Sequence, residues 1–141
     1  MIDLISWQDL TPSERVTVHN FQVTQTQVDY AGPVSRAIAA VEADQSGEVM
    51  GIALQFDEAI VGFVVLKCGS MAPTWASQET IVISALRIDH QYQGRGLGTM
   101  ALQAIPNWIK CRWHGYNNIK LSVDEDNVSG IRAYEKSMFQ R

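Results

Sequence analysis

A chain of 141 residues, 46% hydrophobic and 18% charged, can bury one core without disulfide or metal staples, and residues 1–141 read as one globular domain. Its formal net charge of −4 argues against nucleic acid as a partner, because phosphates call for a basic surface, and it favours cationic ligands. Cys68 and Cys111 have neither metal-ligand spacing nor the number for a disulfide framework, so free thiols in a reducing cytoplasm are expected.

The N-terminal stretch Met1–Trp7 carries no basic region ahead of an apolar core, so no secretory leader is expected. No apolar run approaches membrane-spanning length, so no membrane partner is expected. Residues 2–7 suit a short first strand. Thr11-Pro12-Ser13-Glu14 is a helix start, with Thr as N-cap, Pro at the first position and Glu three after the cap. That helix should run to about Phe21. The polar 22–32 stretch, which holds Tyr30, reads as a loop, and Pro33 opens a second helix with Val34, Ala37, Ile38 and Val41 inward, ending near Asp44.

Two strand-like runs, Val49–Gln55 and Ile60–Leu66, flank Phe56-Asp57-Glu58-Ala59 at hairpin spacing. A loop with Pro73 and Trp75 leads to Ile81–Ile88, whose β-branched density is that of a buried strand. Period-two alternation places Val82, Ser84, Leu86 and Ile88 on one face of it. Beyond the strand, Leu97, Met100, Ala101, Ala104, Ile105, Trp108 and Ile109 form the stripe of an amphipathic helix. Pro106 is expected to interrupt that helix, removing one backbone donor and kinking it, with a second segment carrying Trp108, Ile109 and Arg112 onward to the Gly115 turn. Ile119–Val123 is a further strand, and Asn127 suits the cap of a last helix reaching about Met138. Propensity alone makes this α+β or α/β.

Between the Ile81–Ile88 strand and its helix lies Gln91-Tyr92-Gln93-Gly94-Arg95-Gly96-Leu97-Gly98-Thr99. Three glycines entering a strong helix cost roughly 0.5–1 kcal/mol each, which favours a close backbone approach to a ligand over a mere sharp turn. Strand, glycine turn and helix start present unpaired N–H groups to an anion, so a phosphate-bearing ligand is expected. No Lys-Ser or Lys-Thr follows the glycines, which excludes a P-loop. The G-x-G-x-G spacing and the short remaining chain exclude a doubly wound dinucleotide domain.

The order Gln91, Gly94, Gly96 after a strand ending Leu86-Arg87-Ile88 resembles the acyl-CoA pyrophosphate loop of the GNAT N-acetyltransferase superfamily. The likeness continues through Leu121-Ser122-Val123, Asn127 and Tyr134-Glu135-Lys136 with Phe139, and covers roughly residues 49–139. It implies a mixed, mostly antiparallel α/β (α+β) sheet, splayed like a V between the fourth and fifth strands and flanked by helices. It also implies acetyl-CoA as cosubstrate, no metal, and direct attack by a small-molecule amine in a ternary complex, with an overall look closest to polyamine acetyltransferases. His19, His90 and His114 are in any case too scattered to ligate a metal.

By this resemblance the pyrophosphate lies on Gln91, Gln93, Gly94, Arg95, Gly96, Leu97, Gly98 and Thr99, with Arg95 either bonding a phosphate or standing solvated. The backbone of Leu86, Arg87 and Ile88 pairs with the pantetheine arm, and one N–H polarises the thioester carbonyl. Asn127 either touches CoA or caps its helix. Tyr134 is the catalytic candidate by its match to the family's Tyr, a phenol that protonates the leaving thiolate; spacing alone favours a core tyrosine beside Ile131 and Met138. Where relatives carry a carboxylate on the fourth strand this chain has Val82, which leaves Ser84 as the candidate for a water relay. Asp124 and Tyr30 are candidate substrate contacts.

Two departures from the family pattern stand out. Met138 replaces the glycine of the usual terminal Gly-Phe, and the two further strands of relatives do not follow Arg141. An unpaired edge on the fifth strand is therefore expected, and with it a homodimer. A non-catalytic CoA-binding assembly subunit is the second reading, and a nucleotide-binding regulatory domain the third.

Overall fold

A computed structural model describes residues 2–22, 33–69, 80–112 and 118–121. In chain order these hold β1 (Ile2–Ser6), α1 (Pro12–His19), α2 (Val34–Ala43), β2 (Val49–Phe56), β3 (Ala59–Lys67), β4 (Thr80–Ile88), α3 (Leu97–Arg112) and β5 (Asn118–Leu121), with 3-10 turns at Trp7–Asp9 and His90–Tyr92. The strands form one sheet in the order β1-β2-β3-β4-β5. Neighbours are antiparallel from β1 to β4, whereas β4 and β5 run parallel. This is the mixed, mostly antiparallel sheet that the sequence implied.

Local chemistry accounts for most boundaries. Thr11 accepts from the Glu14 N–H through its side chain, and the Glu14 carboxylate accepts from the Thr11 N–H, closing a reciprocal capping box ahead of Pro12. The helix stops at His19, two residues short of the expected Phe21; Phe21 turns inward and is buried. The β2–β3 hairpin turns on Asp57 and Glu58, both left-handed with φ of 49° and 66°, the pairing that matches the twist of the flanking strands.

Helices cover the sheet on both faces. On one face Val18, Val34, Ala37 and Ile38 of α1 and α2 pack with Trp7, Ala53, Phe63 and Val65. Gly51 belongs to this face: a Cβ there would lie 2.9 Å from the Phe63 ring, so the missing side chain lets the ring sit against β2. On the other face Leu97, Ala101, Leu102, Ile105, Trp108 and Ile109 of α3 pack with Ile52, Leu54, Val64, Leu66, Ile81 and Ile83. The expected break at Pro106 does not occur. One helix runs from Leu97 to Arg112 with Pro106 inside it, because the buried stripe on both sides of the proline outweighs the single donor it removes.

Candidate active site

The site is built where β4 loses its second neighbour. Thr80–Ile83 pair with β5 in register Thr80↔Asn118 to Ile83↔Leu121. Among the described residues, Ser84–Ile88 have a strand on the β3 side only. Among the described residues the two parallel strands thus meet at the Thr80–Ile83 end of β4.

A bulge marks the change. Val65 faces Ser84 and Phe63 faces Arg87, so β4 carries one residue more than β3 across this interval. The extra residue reverses the alternation of side chains. Ile83 pairs with Leu66 on the α3 face, whereas Ser84 pairs with Val65 and Arg87 with Phe63 on the α1/α2 face. Leu86 and Ile88 return to the α3 face. The expectation that Val82, Ser84, Leu86 and Ile88 share a face is therefore corrected: strict period two fails across the bulge. Arg87 is 1% exposed, and burial pushes its guanidinium down to about 10, still protonated at neutral pH.

The main chain of Ile88 is presented to the open side. Asp89 N–H donates to Val61 O on β3 at 2.8 Å, so by the alternation of an antiparallel ladder the adjacent Ile88 N–H and C=O point away from β3. The Ile88 carbonyl is taken by Gln93 Nε2, at 2.9 Å. Gln91 Nε2 donates to Asp89 Oδ2, also at 2.9 Å. Both glutamines expected at the ligand thus spend side-chain N–H groups on holding the loop.

Beyond them the chain opens. Gly94 and Gly96 are left-handed, with φ of 79° and 76°, and a Cβ on either would meet nothing within 4 Å. The glycines are therefore demanded by backbone conformation, and the space beside them is free to be filled. Gly98 differs: a Cβ there would make only ordinary contacts, 3.9 Å from Ile88 and 4.0 Å from Leu86. The first bond of α3 is Met100 N–H to Gly96 O, at 3.1 Å, so the N–H groups of Leu97 and Gly98 have no acceptor within the helix. Arg95 is exposed, its guanidinium 5.6 Å from the Tyr92 ring centroid. Two left-handed glycines, a helix start and an exposed guanidinium make a cradle that suits a pyrophosphate.

Asp89 is the residue that sequence reasoning missed. Its only sequence signal is a lone acid between a strand and a glycine turn. It is 8% exposed, and its Oδ1 accepts from the Gln22 N–H at 3.0 Å while Oδ2 holds Gln91. Tyr30, Asp124, Asn127 and Tyr134 lie outside the described residues. No group of residues suited to hold a metal occurs among those described.

Comparison with known proteins agrees with this geometry. Residues 6–138 match the model of the Acetyltransferase (GNAT) family. The chain is 25% identical over 140 residues to a spermine/spermidine N(1)-acetyltransferase of Bacillus subtilis (strain 168), covering 96% of this chain and 88% of that protein. Among solved structures it resembles the aminoglycoside acetyltransferase AAC(6')-Ib in complex with coenzyme A, with a TM-score of 0.79 at 15% identity over 100% of this chain and 85% of that one. The putative acetyltransferase YycN of Bacillus subtilis is similar too, with a TM-score of 0.68 at 19% identity, covering 100% of this chain and 93% of that one. A family match spanning nearly the whole sequence, on a sheet that opens beside a glycine turn, leaves one assignment: the chain belongs to the GNAT acetyltransferase family.

Proposed function

We propose that this acetyl-CoA-dependent N-acetyltransferase acetylates a primary amine of a small polyamine-like molecule, in one direct step within a ternary complex. The observation that carries the reading is the pair of open left-handed glycines at the start of α3, set beside the Ile88 end of β4. The choice of a polyamine rests on the relative named as a spermine/spermidine acetyltransferase and on the net charge of −4, which favours a cation. The alternative of a non-catalytic assembly subunit is not favoured, since the matched relatives are named as N-acetyltransferases.

In this reading the backbone of Gly94, Arg95, Gly96, Leu97, Gly98 and Thr99 holds the pyrophosphate, and Arg95 adds a charge-assisted bond. Gln91 and Gln93 brace that loop from behind. The Leu86–Ile88 edge binds the pantetheine arm as an added strand would, and the outward Ile88 N–H serves the thioester oxygen. Acetyl-CoA supplies the activated acetyl carbon. A neutral amine nitrogen forms the new C–N bond, the C–S bond breaks, the thiolate takes a proton from Tyr134, and the amine proton leaves through water held by Ser84. Ser84 sits on the α1/α2 face, across the sheet from the packing of Leu86 and Ile88 against α3. Tyr30 and Asp124 contact the acceptor, and Asn127 the CoA.

We further place the chain, as a single domain over residues 1–141, in the cytoplasm, which the reduced state of Cys68 and Cys111 supports. A homodimer is the proposed assembly. Among the described residues β5 has a strand on one side only, and an open ladder edge recruits a second chain.

The test is release of free CoA thiol from acetyl-CoA with spermidine, spermine, putrescine and kanamycin as acceptors. Turnover with the linear polyamines is expected. Binding of CoA by calorimetry with no turnover on any amine would instead favour the assembly subunit, and no CoA binding would defeat the assignment of the loop.

A further inference from the structure

We infer that the cavity between the C-terminal end of α2 and the turn at Trp7 is a second ligand site, suited to the zwitterion of an aliphatic α-amino acid, with Arg15 taking the carboxylate and Glu42 the ammonium. The inference does not depend on the proposed acetylation.

The cavity holds about 510 Å³, a volume in the range of small-molecule pockets. It lies at the end of the sheet opposite the glycine turn. Its wall includes Ser6 at the end of β1 and Val49 at the start of β2. Val49 pairs with Lys67 and Lys67 with Val82, whereas Ile88 pairs with Gly62 at the far end of the ladder. Val41, Val49 and Met50 give the cavity apolar lining.

Two charges of opposite sign meet one indole there. Trp7 is 4% exposed, and the Arg15 guanidinium carbon lies 5.4 Å from its ring centroid. Arg15 Nε and Nη2 both donate to Trp7 O, at 3.2 and 3.0 Å, and Nη2 reaches Gln8 O at 3.4 Å. That fork fixes the guanidinium and leaves Nη1 without an acceptor among the described residues. Glu42 Oε2 accepts from Trp7 Nε1 at a long 3.4 Å, and Oε1 accepts nothing among the described residues. Neither side chain forms an ion pair with a described residue, although both touch Trp7. The half-buried guanidinium is thus bonded to carbonyls alone and lacks a counter-charge.

A ligand carrying both charges satisfies each of them. A simple anion or a linear polyamine would satisfy one and be repelled by the other. The wall is also set in advance. Asp44 Oδ1 accepts from the Ser46 hydroxyl and Oδ2 from the Gly47 N–H, which fixes the α2–β2 turn, and the Arg15 fork ties α1 to Trp7. Little ordering is then left for binding to impose, and the apolar lining receives the aliphatic side chain.

The probe is L-leucine, titrated calorimetrically into the full chain with and without saturating CoA, and binding is expected in both cases. Leucinamide, which lacks the carboxylate, and N-acetyl-L-leucine, which lacks the ammonium, should each bind about tenfold more weakly. Glu42→Gln removes the charge and keeps an oxygen for Trp7 Nε1. It should weaken L-leucine about fivefold without weakening N-acetyl-L-leucine. Arg15→Gln should weaken L-leucine about tenfold without weakening leucinamide. Should Arg15→Gln fail to fold for want of its bonds to Trp7 O, the three probes and Glu42→Gln, altered at an exposed position, decide alone. Absence of L-leucine binding at about 10 mM, equal affinity for the three probes, or an L-leucine affinity unmoved in Glu42→Gln would overturn the site. So would L-leucine binding that CoA abolishes. A wild type that binds L-leucine and not CoA would defeat the proposed function and leave this inference standing.

Discussion

The two halves of β4 are built for different purposes. Thr80–Ile83 pair with β5, Val82 and Ile83 pair with β3 as well, and the side chains of Thr80, Ile81, Val82 and Ile83 are all buried. Ser84–Ile88 keep only the β3 neighbour among the described residues, carry a bulge and lead straight into a turn with two left-handed glycines. The first half is satisfied by the protein itself. The second, among the described residues, turns the Ile88 main chain away from β3, toward the side on which the proposed ligand would complete it. One strand thus serves as frame at one end and as binding edge at the other.

The sharpest way to break the open end is Gly96→Glu. The residue has a φ of 76° and faces space that a Cβ would enter unopposed, so the fold should survive with modest backbone strain. A carboxylate set against a pyrophosphate, however, costs several kcal/mol, and CoA affinity should fall by about a hundredfold or more. Calorimetry with a circular dichroism control checks this. Unaltered CoA affinity in the folded variant would remove the glycine turn from the site.

The closed end should answer in the opposite way. Leu66 is fully buried, pairs with Ile83 and packs within the cluster under α3. Leu66→Ala should lower unfolding free energy by about 2–5 kcal/mol, read by urea titration. Because the deleted methyls are remote from the loop, CoA affinity should stay within about twofold under native conditions. A matching loss of CoA binding would show that the two ends are one unit.

The same division describes what the sequence could reveal. Where stability is local or periodic, residues announce it: Thr11 and Glu14 form the capping box that their spacing predicts, and Val34, Ala37 and Ile38 are buried as their stripe requires. The glycine turn was legible because left-handed conformations select glycine. The bulge was not, since nothing in Ile83-Ser84-Ala85-Leu86 distinguishes a regular strand from one carrying an extra residue; its position is set by pairing with β3. That single insertion is why Ser84 and Leu86, two residues apart, lie on opposite faces. Pro106 misled in the other direction, as a local signal overruled by a buried helix face. Asp89 was invisible because its meaning lies in Gln22, far off in sequence.

The smallest expected effect tests whether electrostatics matter at the frame end, where α2 hands over to β2. Asp44 Oδ1 accepts from the Ser46 hydroxyl at 2.6 Å, and Oδ2 accepts from the Gly47 N–H at 3.0 Å. The Ser46 hydroxyl is the main cause holding the carboxyl below its ordinary 3.8; desolvation is the next largest effect and opposes it, and backbone N–H groups of Ser46, Gly47 and Val49 add to the lowering. The folded protein therefore prefers the ionised form more than the unfolded chain does. That preference stabilises the fold fully above pH 3.8 and fades as pH falls through the lower folded value. Asp44→Asn should lower the melting temperature slightly at neutral pH, because one arm of the amide presents a donor to the Gly47 N–H. Wild type and variant should then converge as the solution is acidified below the carboxylate range, with CoA affinity unmoved throughout. A difference that persisted or grew in acid would mean that the turn depends on the shape of the side chain and not on its charge.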